Sequence, residues 1–106
     1  MASIIEFSLE DVKSGIADGT LLLVDVREPH EFASGHIPGS VTLPLSSFDP
    51  ADIPDGQGRN VVFSCAAGVR SLRAIEAAHS AGLDYSAHYP GGFKDWVMSG
   101  QEVDVG

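Results

Sequence analysis

The strongest constraint on the fold comes from residues 20–28, TLLLVDVRE, an apolar run that ends in charged residues. A strand with one exposed face alternates apolar and polar residues, whereas a strand buried on both faces is apolar at consecutive positions. Residues 60–64, NVVFS, show a second run of this kind. Both runs predict strands with helices packed on either side, which is typical of a parallel sheet.

Helix signals lie between the predicted strands. Ser8 followed by Asp11 three residues later resembles a capping box, and Gly19 predicts the end of the helix that starts there. A short helix follows the first apolar run, with Pro29 in its first turn and Gly35 at its end.

A longer helix is predicted for residues 69–82, VRSLRAIEAAHSAG, because they are rich in good helix formers. We expect Leu72, Ile75 and Ala78 to form its apolar face and Gly82 to end it.

A last helix is predicted for residues 91–100, with Phe93, Trp96 and Val97 as its apolar face. Three further segments predict short strands: residues 3–8 (SIIEFS), 40–45 (SVTLPL) and 85–92 (YSAHYPGG). Residues 46–60 are typical of a loop with one helical turn. Because strands and helices alternate along the chain, the pattern predicts an α/β fold with a parallel, helix-covered sheet.

The chain has 106 residues, which fits one compact domain spanning residues 1–106, and we expect a monomer. Its formal net charge of −9 argues against binding to nucleic acid or to anionic membranes, since both need basic surfaces. No apolar run approaches the roughly 20 residues of a membrane-spanning helix, and the N-terminus has no secretory signal pattern. With a single cysteine, a reducing cytoplasmic location is expected.

The loop after the second apolar run carries that cysteine, Cys65. Ligands of parallel sheets bind beyond the carboxyl ends of the strands, which is where this loop lies. Ala66, Ala67, Gly68 and Val69 follow, and all have little side-chain bulk. Their backbone N–H groups can therefore converge on one point, at the positive end of the following helix, and bind an anion.

Arg70 and Ser71 close this loop, and Arg73 adds positive charge to the first helical turn. A thiol at such a position should ionise more readily than a free thiol, whose pKa is about 8.5. The loop therefore predicts a nucleophilic Cys65, with residues 66–71 holding the anionic substrate. The competing interpretation is that Cys65 is a small buried hydrophobic residue, a common role of free cysteine.

Three motifs in this order resemble the rhodanese family of sulfurtransferases. They are residues 24–44 (VDVREPHEFASGHIPGSVTLP), residues 64–71 (SCAAGVRS) and residues 89–100 (YPGGFKDWVMSG). The resemblance implies a five-stranded parallel sheet with helices on both faces; no cofactor is expected. It also implies that Cys65 takes the outer sulfur of a small anionic donor such as thiosulfate and passes it as a persulfide to a thiol or cyanide.

Two positions depart from the family pattern. Ala66 stands where relatives often carry a larger polar or basic residue, so a side chain that could contact thiosulfate is absent at this position. Gln101 and Glu102 follow Gly100 in place of the familiar proline, which concerns the C-terminal tail and not the chemistry.

Related phosphatases share this fold but place five residues between cysteine and arginine and a histidine before the cysteine. Here four residues separate Cys65 from Arg70, and Ser64 precedes the cysteine, so both features favour sulfur transfer. The alternatives are a persulfide carrier for a protein partner, a phosphatase-like or arsenate-reducing enzyme, which the loop length disfavours, and an inactive binding domain, which the presence of the cysteine disfavours.

Asp25 and Arg27, at the end of the first apolar run, are expected to support the loop, because buried charges need partners. Arg27 is expected to hold the next helix through Glu31. His36 is interpreted as a structural histidine at a turn. The four histidines lack the spacing of a zinc site, so no metal is expected: His30, His36, His79 and His88.

Overall fold

A computed structural model describes residues 4–106. Its strands are β1 (Ile5–Glu6), β2 (Leu21–Asp25), β3 (Val41–Thr42), β4 (Asn60–Ser64) and β5 (Ala87–Tyr89). Its helices are α1 (Leu9–Asp18), α2 (Pro29–Ser34), α3 (Val69–Ser80) and α4 (Gly92–Met98). The strands form one sheet in the order β1-β5-β4-β2-β3, and neighbouring strands pair in parallel. The predicted α/β class with a five-stranded parallel sheet is confirmed.

Helices cover both faces of this sheet, because the strands at its centre are apolar on both sides. Leu22 and Val24 of β2 pack with Phe63 of β4 against α3. Leu21 and Leu23 point the other way, into a second core that contains residues of α1 and α4. Fully burying one such side chain stabilises the fold by about 1.5–3 kcal/mol, so both faces contribute to stability.

The register of the central strands aligns their carboxyl ends. Asp25 of β2 lies beside Ser64 of β4, and Ser64 lies beside Tyr89 of β5. The segments that follow these three residues therefore leave the sheet at the same edge, next to one another.

The capping box predicted for the first helix is confirmed. The Asp11 amide donates to Ser8 Oγ at 3.1 Å, and the Ser8 amide donates to Asp11 Oδ2 at 2.9 Å. These bonds satisfy two backbone groups that the first turn of α1 cannot pair internally. Gly19 ends this helix and Gly35 ends α2, as predicted.

The apolar faces predicted for α3 and α4 each include one residue that is exposed in the structure. Leu72 is 39% exposed, and Val97 is 47% exposed. In α3 the buried positions are Ser71, Ala74, Ile75 and Ala78, so the buried stripe starts one residue earlier than expected and includes a serine.

Three predicted strands are shorter in the structure. The segments at residues 3–8, 40–45 and 85–92 contribute β1, β3 and β5, and residue 3 lies outside the described part of the chain. Although β5 has three residues, it lies between β1 and β4 and all three are buried. Residues 45–52 contain two short 3-10 turns, Leu45–Ser47 and Pro50–Asp52, instead of the one helical turn predicted within residues 46–60. Over residues 4–106, none of the helices has the length and apolar character needed to cross a membrane.

We expect Ser8→Ala to lower the free energy of unfolding by about 1 kcal/mol, because it leaves the Asp11 amide without its acceptor. Urea denaturation measures this change. Ser14→Ala is the matched control, since Ser14 is exposed within the same helix and alanine is a better helix former. An equal loss in both variants would contradict a capping role.

Candidate active site

Cys65 lies at the carboxyl end of β4, the central strand of the sheet, where α3 begins four residues later. The connecting loop curls around the sulfur. The Gly68 amide donates to Cys65 Sγ at 3.1 Å, and the Ser71 amide lies 3.4 Å from it. The Ser71 hydroxyl oxygen lies 3.7 Å from the same sulfur. Two backbone donors and one side-chain hydroxyl thus converge on one atom.

These donors decide the ionisation of the thiol. Burial raises the pKa of Cys65, because a charged sulfur loses its hydration. The hydrogen bonds from Ser71, Ala67 and Gly68 act in the opposite direction and outweigh burial, so the pKa lies below that of an ordinary cysteine. A lowered pKa increases the thiolate fraction at neutral pH, and the thiolate is the nucleophilic form.

The sulfur is nevertheless enclosed. Cys65 is 1% exposed and packs in the core with Phe63 and Ala74, as the competing interpretation of a small buried residue predicts. Packing alone does not account for the donors aimed at Sγ. Ala66 is half-buried and Ala67 is exposed, so small side chains border the sulfur on its outer side.

Gly68 provides the backbone conformation of this curl. Its φ of +91° lies in the left-handed region, and it is the residue before the first turn of α3. A Cβ atom here would lie 2.7 Å from the carbonyl oxygen of Pro90. Glycine is therefore required both by the dihedral angle and by the close approach of the segment after β5.

A second glycine brings the start of α4 against the cysteine loop. Gly92 has a φ of +63°, and a Cβ atom there would lie 2.6 Å from the carbonyl oxygen of Ala66. This close approach lets the Phe93 amide donate to the Cys65 carbonyl at 2.8 Å and the Lys94 amide donate to the Ala66 carbonyl at 3.1 Å. Sequence reasoning did not assign this role to Gly92, although the glycine pair at residues 91–92 signals a close backbone contact.

The guanidinium of Arg70 is engaged with a carboxylate of α2. Its Nη1 and Nη2 donate to Glu31 Oε1 and Oε2 at 2.6 and 3.1 Å. The hydrogen bonds from Arg70 lower the pKa of Glu31 to about 2. The expected substrate residue Arg70 therefore joins α3 to α2, and its charge is neutralised locally.

Arg27 holds α2 as predicted, but through backbone carbonyl groups rather than through the Glu31 carboxylate. It forms a buried ion pair with Asp25, with 2.7 Å between Nη2 and Oδ2, and donates to the Gly35 carbonyl at 2.8 Å. Its only contact with Glu31 is to the backbone carbonyl, at 3.5 Å, because the carboxylate pairs with Arg70. The guanidinium also lies 4.2 Å from the centre of the Phe93 ring. Asp25 and Arg27 thus connect the end of β2 to α2 and α4.

His88 was considered from the sequence only as a metal ligand, yet it adjoins the site. Its Nδ1 lies 2.8 Å from Ser71 Oγ, and the residue is 2% exposed. Within residues 4–106, no three metal-ligating side chains are grouped to hold an ion. The contact joins β5 to α3 across 17 positions of sequence, so no local pattern signals it. His36 stacks on Phe32, and its Nδ1 lies 2.9 Å from the Phe32 carbonyl oxygen.

We expect Gly92→Ala to reduce the free energy of unfolding by about 1–3 kcal/mol and to lower the reactivity of the Cys65 thiol, because the loop must move away from the new Cβ atom. Urea denaturation and the rate of thiol alkylation measure the two effects. Gly82→Ala is the matched control: its φ is also positive, at +81°, but a Cβ atom there meets nothing within 4 Å. Equal effects at both positions would show that the close approach of α4 is unimportant.

Comparison with known proteins agrees with this geometry. Residues 8–99 match the model of the rhodanese-like domain family. The thiosulfate:glutathione sulfurtransferase of Saccharomyces cerevisiae is 35% identical over 116 residues, covering 94% of this chain and 83% of that protein. An uncharacterized protein of Synechocystis is 39% identical over 80 residues, covering 76% of this chain and 45% of that protein.

The solved structure of the human single-domain sulfurtransferase TSTD1 superimposes with a TM-score of 0.73 at 30% identity. The match covers 92% of this chain and 97% of that structure. Its agreement in fold, together with the family match over most of the described residues, leads to one conclusion. The chain belongs to the rhodanese-like domain family.

Proposed function

We propose that the protein is a sulfurtransferase that carries sulfane sulfur on Cys65, from a donor such as thiosulfate to a thiol or cyanide acceptor. The observation that carries this proposal is the set of hydrogen-bond donors around Cys65 Sγ, from Gly68 and Ser71. These donors favour the thiolate form of Cys65, which lies at the carboxyl edge of the sheet. The sulfurtransferase relatives support the same class of chemistry.

In the first step, the Cys65 thiolate attacks the outer sulfur of thiosulfate. The new Sγ–S bond forms as the S–S bond of thiosulfate breaks, and sulfite leaves with the bonding electron pair. The product is a Cys65 persulfide anion, so the charge of the enzyme is unchanged. The amide groups of the loop would stabilise the negative charge during this transfer.

In the second step, an acceptor attacks the outer sulfur of the persulfide. Cyanide becomes thiocyanate, or a thiolate becomes a persulfide, and the Cys65 thiolate is regenerated. Because the chain has one cysteine, no internal thiol can take the sulfur, and the acceptor is external. The Saccharomyces relative is a thiosulfate:glutathione sulfurtransferase by name. We therefore propose a small thiol such as glutathione as the acceptor here.

We expect reduced protein incubated with thiosulfate to gain the mass of one sulfur atom, and Cys65→Ser to gain none. Intact mass spectrometry measures the loading, and addition of cyanide should then remove the sulfur and release thiocyanate. Absence of any mass gain in the folded wild-type protein would overturn thiosulfate as donor. Hydrolysis of an aryl phosphate through Cys65 would instead support the phosphatase alternative.

One observation favours the alternative of a persulfide carrier for a protein acceptor. Val69, at the start of α3, is 61% exposed, and the exposed Leu72 lies one turn further. Apolar side chains beside the loop suit contact with another protein better than contact with a small anion. Loading by thiosulfate with very slow transfer to both cyanide and glutathione would select the carrier over the enzyme.

The charge of the chain affects the first step. A net charge of −9 repels thiosulfate at long range, whereas the loop amides act at hydrogen-bond distance. At physiological salt the Debye length is about 8 Å, so distant acidic residues are largely screened.

We therefore expect the second-order rate of sulfur loading to increase modestly as ionic strength rises. Loading measured by mass spectrometry over a series of sodium chloride concentrations tests this, with loading from a neutral disulfide-type sulfane donor as the control. A steep fall in the thiosulfate rate with salt would show that attraction to surface cations dominates instead.

A further inference from the structure

The imidazole of His88 is a buried group that the proposed chemistry does not use. The ring is buried between α3 and the sheet, with β1 and β4 on either side of its strand. Its Nδ1 contacts Ser71 Oγ at 2.8 Å, and Ser71 Oγ lies 3.7 Å from Cys65 Sγ. A continuous chain of polar atoms therefore runs from the sulfur to the ring.

The other ring nitrogen has no partner. Among the described residues, His88 Nε2 is a fully buried polar atom without a hydrogen bond. The nearest charged group on the adjoining strand is Glu6 of β1, which is paired with His88 in register and is exposed. Phe63 of β4 is the partner of His88 on its other side and is apolar.

Burial keeps the ring neutral. It lowers the pKa of His88 below the ordinary histidine value, and the carboxylate of Glu6 opposes this only in part. A neutral imidazole has one N–H group and one bare nitrogen, so the question is which nitrogen carries the hydrogen.

The unpartnered Nε2 indicates which ring nitrogen carries the hydrogen. Among buried backbone groups, an N–H without an acceptor is rarer than a carbonyl oxygen without a donor, and the same preference is extended here to the ring. The favoured tautomer therefore leaves Nε2 bare and places the hydrogen on Nδ1, which then donates to Ser71 Oγ. The opposite tautomer would bury an unpaired N–H group and would make Nδ1 an acceptor.

The tautomer determines what the Ser71 hydroxyl can do. If Nδ1 donates to Oγ, the single hydroxyl hydrogen of Ser71 is free to point at Cys65 Sγ and stabilise a thiolate. If Nδ1 accepts, that hydrogen is used on the ring, and the hydroxyl can only accept a hydrogen from the protonated thiol. The two tautomers thus favour opposite ionisation states of the sulfur.

We propose that His88 is a positioning residue whose Nδ1–H group orients the Ser71 hydroxyl toward Cys65 and so favours the thiolate. The imidazole does not touch the substrate and acts through Ser71. This inference rests on the proposed function only in that Cys65 works as a thiolate, and its test measures the thiolate directly.

The test compares His88→Phe, Ser71→Ala and the double variant by the ultraviolet absorbance of the thiolate as a function of pH. Because the chain has one cysteine, the difference from Cys65→Ser isolates its signal. Each single variant should reduce the thiolate fraction at neutral pH about 3- to 10-fold, the effect of one hydrogen bond. Because His88 acts through Ser71, the double variant should match Ser71→Ala.

Two further variants separate positioning from packing. His88→Asn retains a side-chain amide that can donate to Ser71 Oγ, so it should recover part of the thiolate fraction lost in His88→Phe. His79→Phe is the matched control: His79 is a half-buried histidine of α3 that contacts Ser86, 3.3 Å away, and it should leave the titration unchanged. Thermal unfolding shows whether each variant is folded.

The tautomer itself is measured in the wild-type protein, which removes any dependence on variants that fail to fold. Long-range nitrogen–proton correlation spectra should show a hydrogen on Nδ1 of His88 and none on Nε2. A hydrogen on Nε2, an unchanged titration in His88→Phe, or additive effects in the double variant would each overturn the proposal. If thiosulfate fails to load the wild-type protein while these results hold, the proposed function fails and the role of His88 stands.

Discussion

A sulfur anion inside a protein must be given hydrogen-bond donors in place of water, and this requirement governs the carboxyl edge of the sheet. Cys65 receives its donors from Gly68 and Ser71, within the loop and the first turn of α3. Such a loop cannot hold itself in shape, because its residues have almost no side chains to pack. Its conformation is maintained from outside, by Pro90 beneath Gly68 and by the amides of α4 that bind its carbonyl groups.

Two ion pairs near the site connect neighbouring elements of the fold. The buried pair of Asp25 and Arg27 fixes the end of β2 to α2 and stacks on Phe93 of α4. The pair of Arg70 and Glu31 joins α3 to α2. In both pairs the guanidinium is bound to a carboxylate, and the hydrogen bonds donated to the sulfur come from backbone amides of the loop and of the first turn of α3.

The parts of this structure that depend on local pattern were predictable. The two apolar runs identify β2 and β4 as central strands, and Ser8 with Asp11 identifies the start of α1. What could not be predicted depends on contacts between distant segments. Arg70 and Glu31 are 39 positions apart, and Ser71 and His88 are 17 apart. The expectation that the buried face of a helix is apolar fails at Ser71 of α3. This serine is buried because its polar groups contact the Cys65 sulfur and the His88 imidazole.

The position of β5 determines when the sheet can form during synthesis of the chain. This strand comes late in the chain but lies inside the sheet, between β1 and β4. During synthesis, β1 therefore has no neighbour to pair with until the last fifth of the sequence has emerged. Until then the Cys65 loop also lacks the carbonyl group of Pro90 and the amides of Phe93 and Lys94, which contact it in the folded protein.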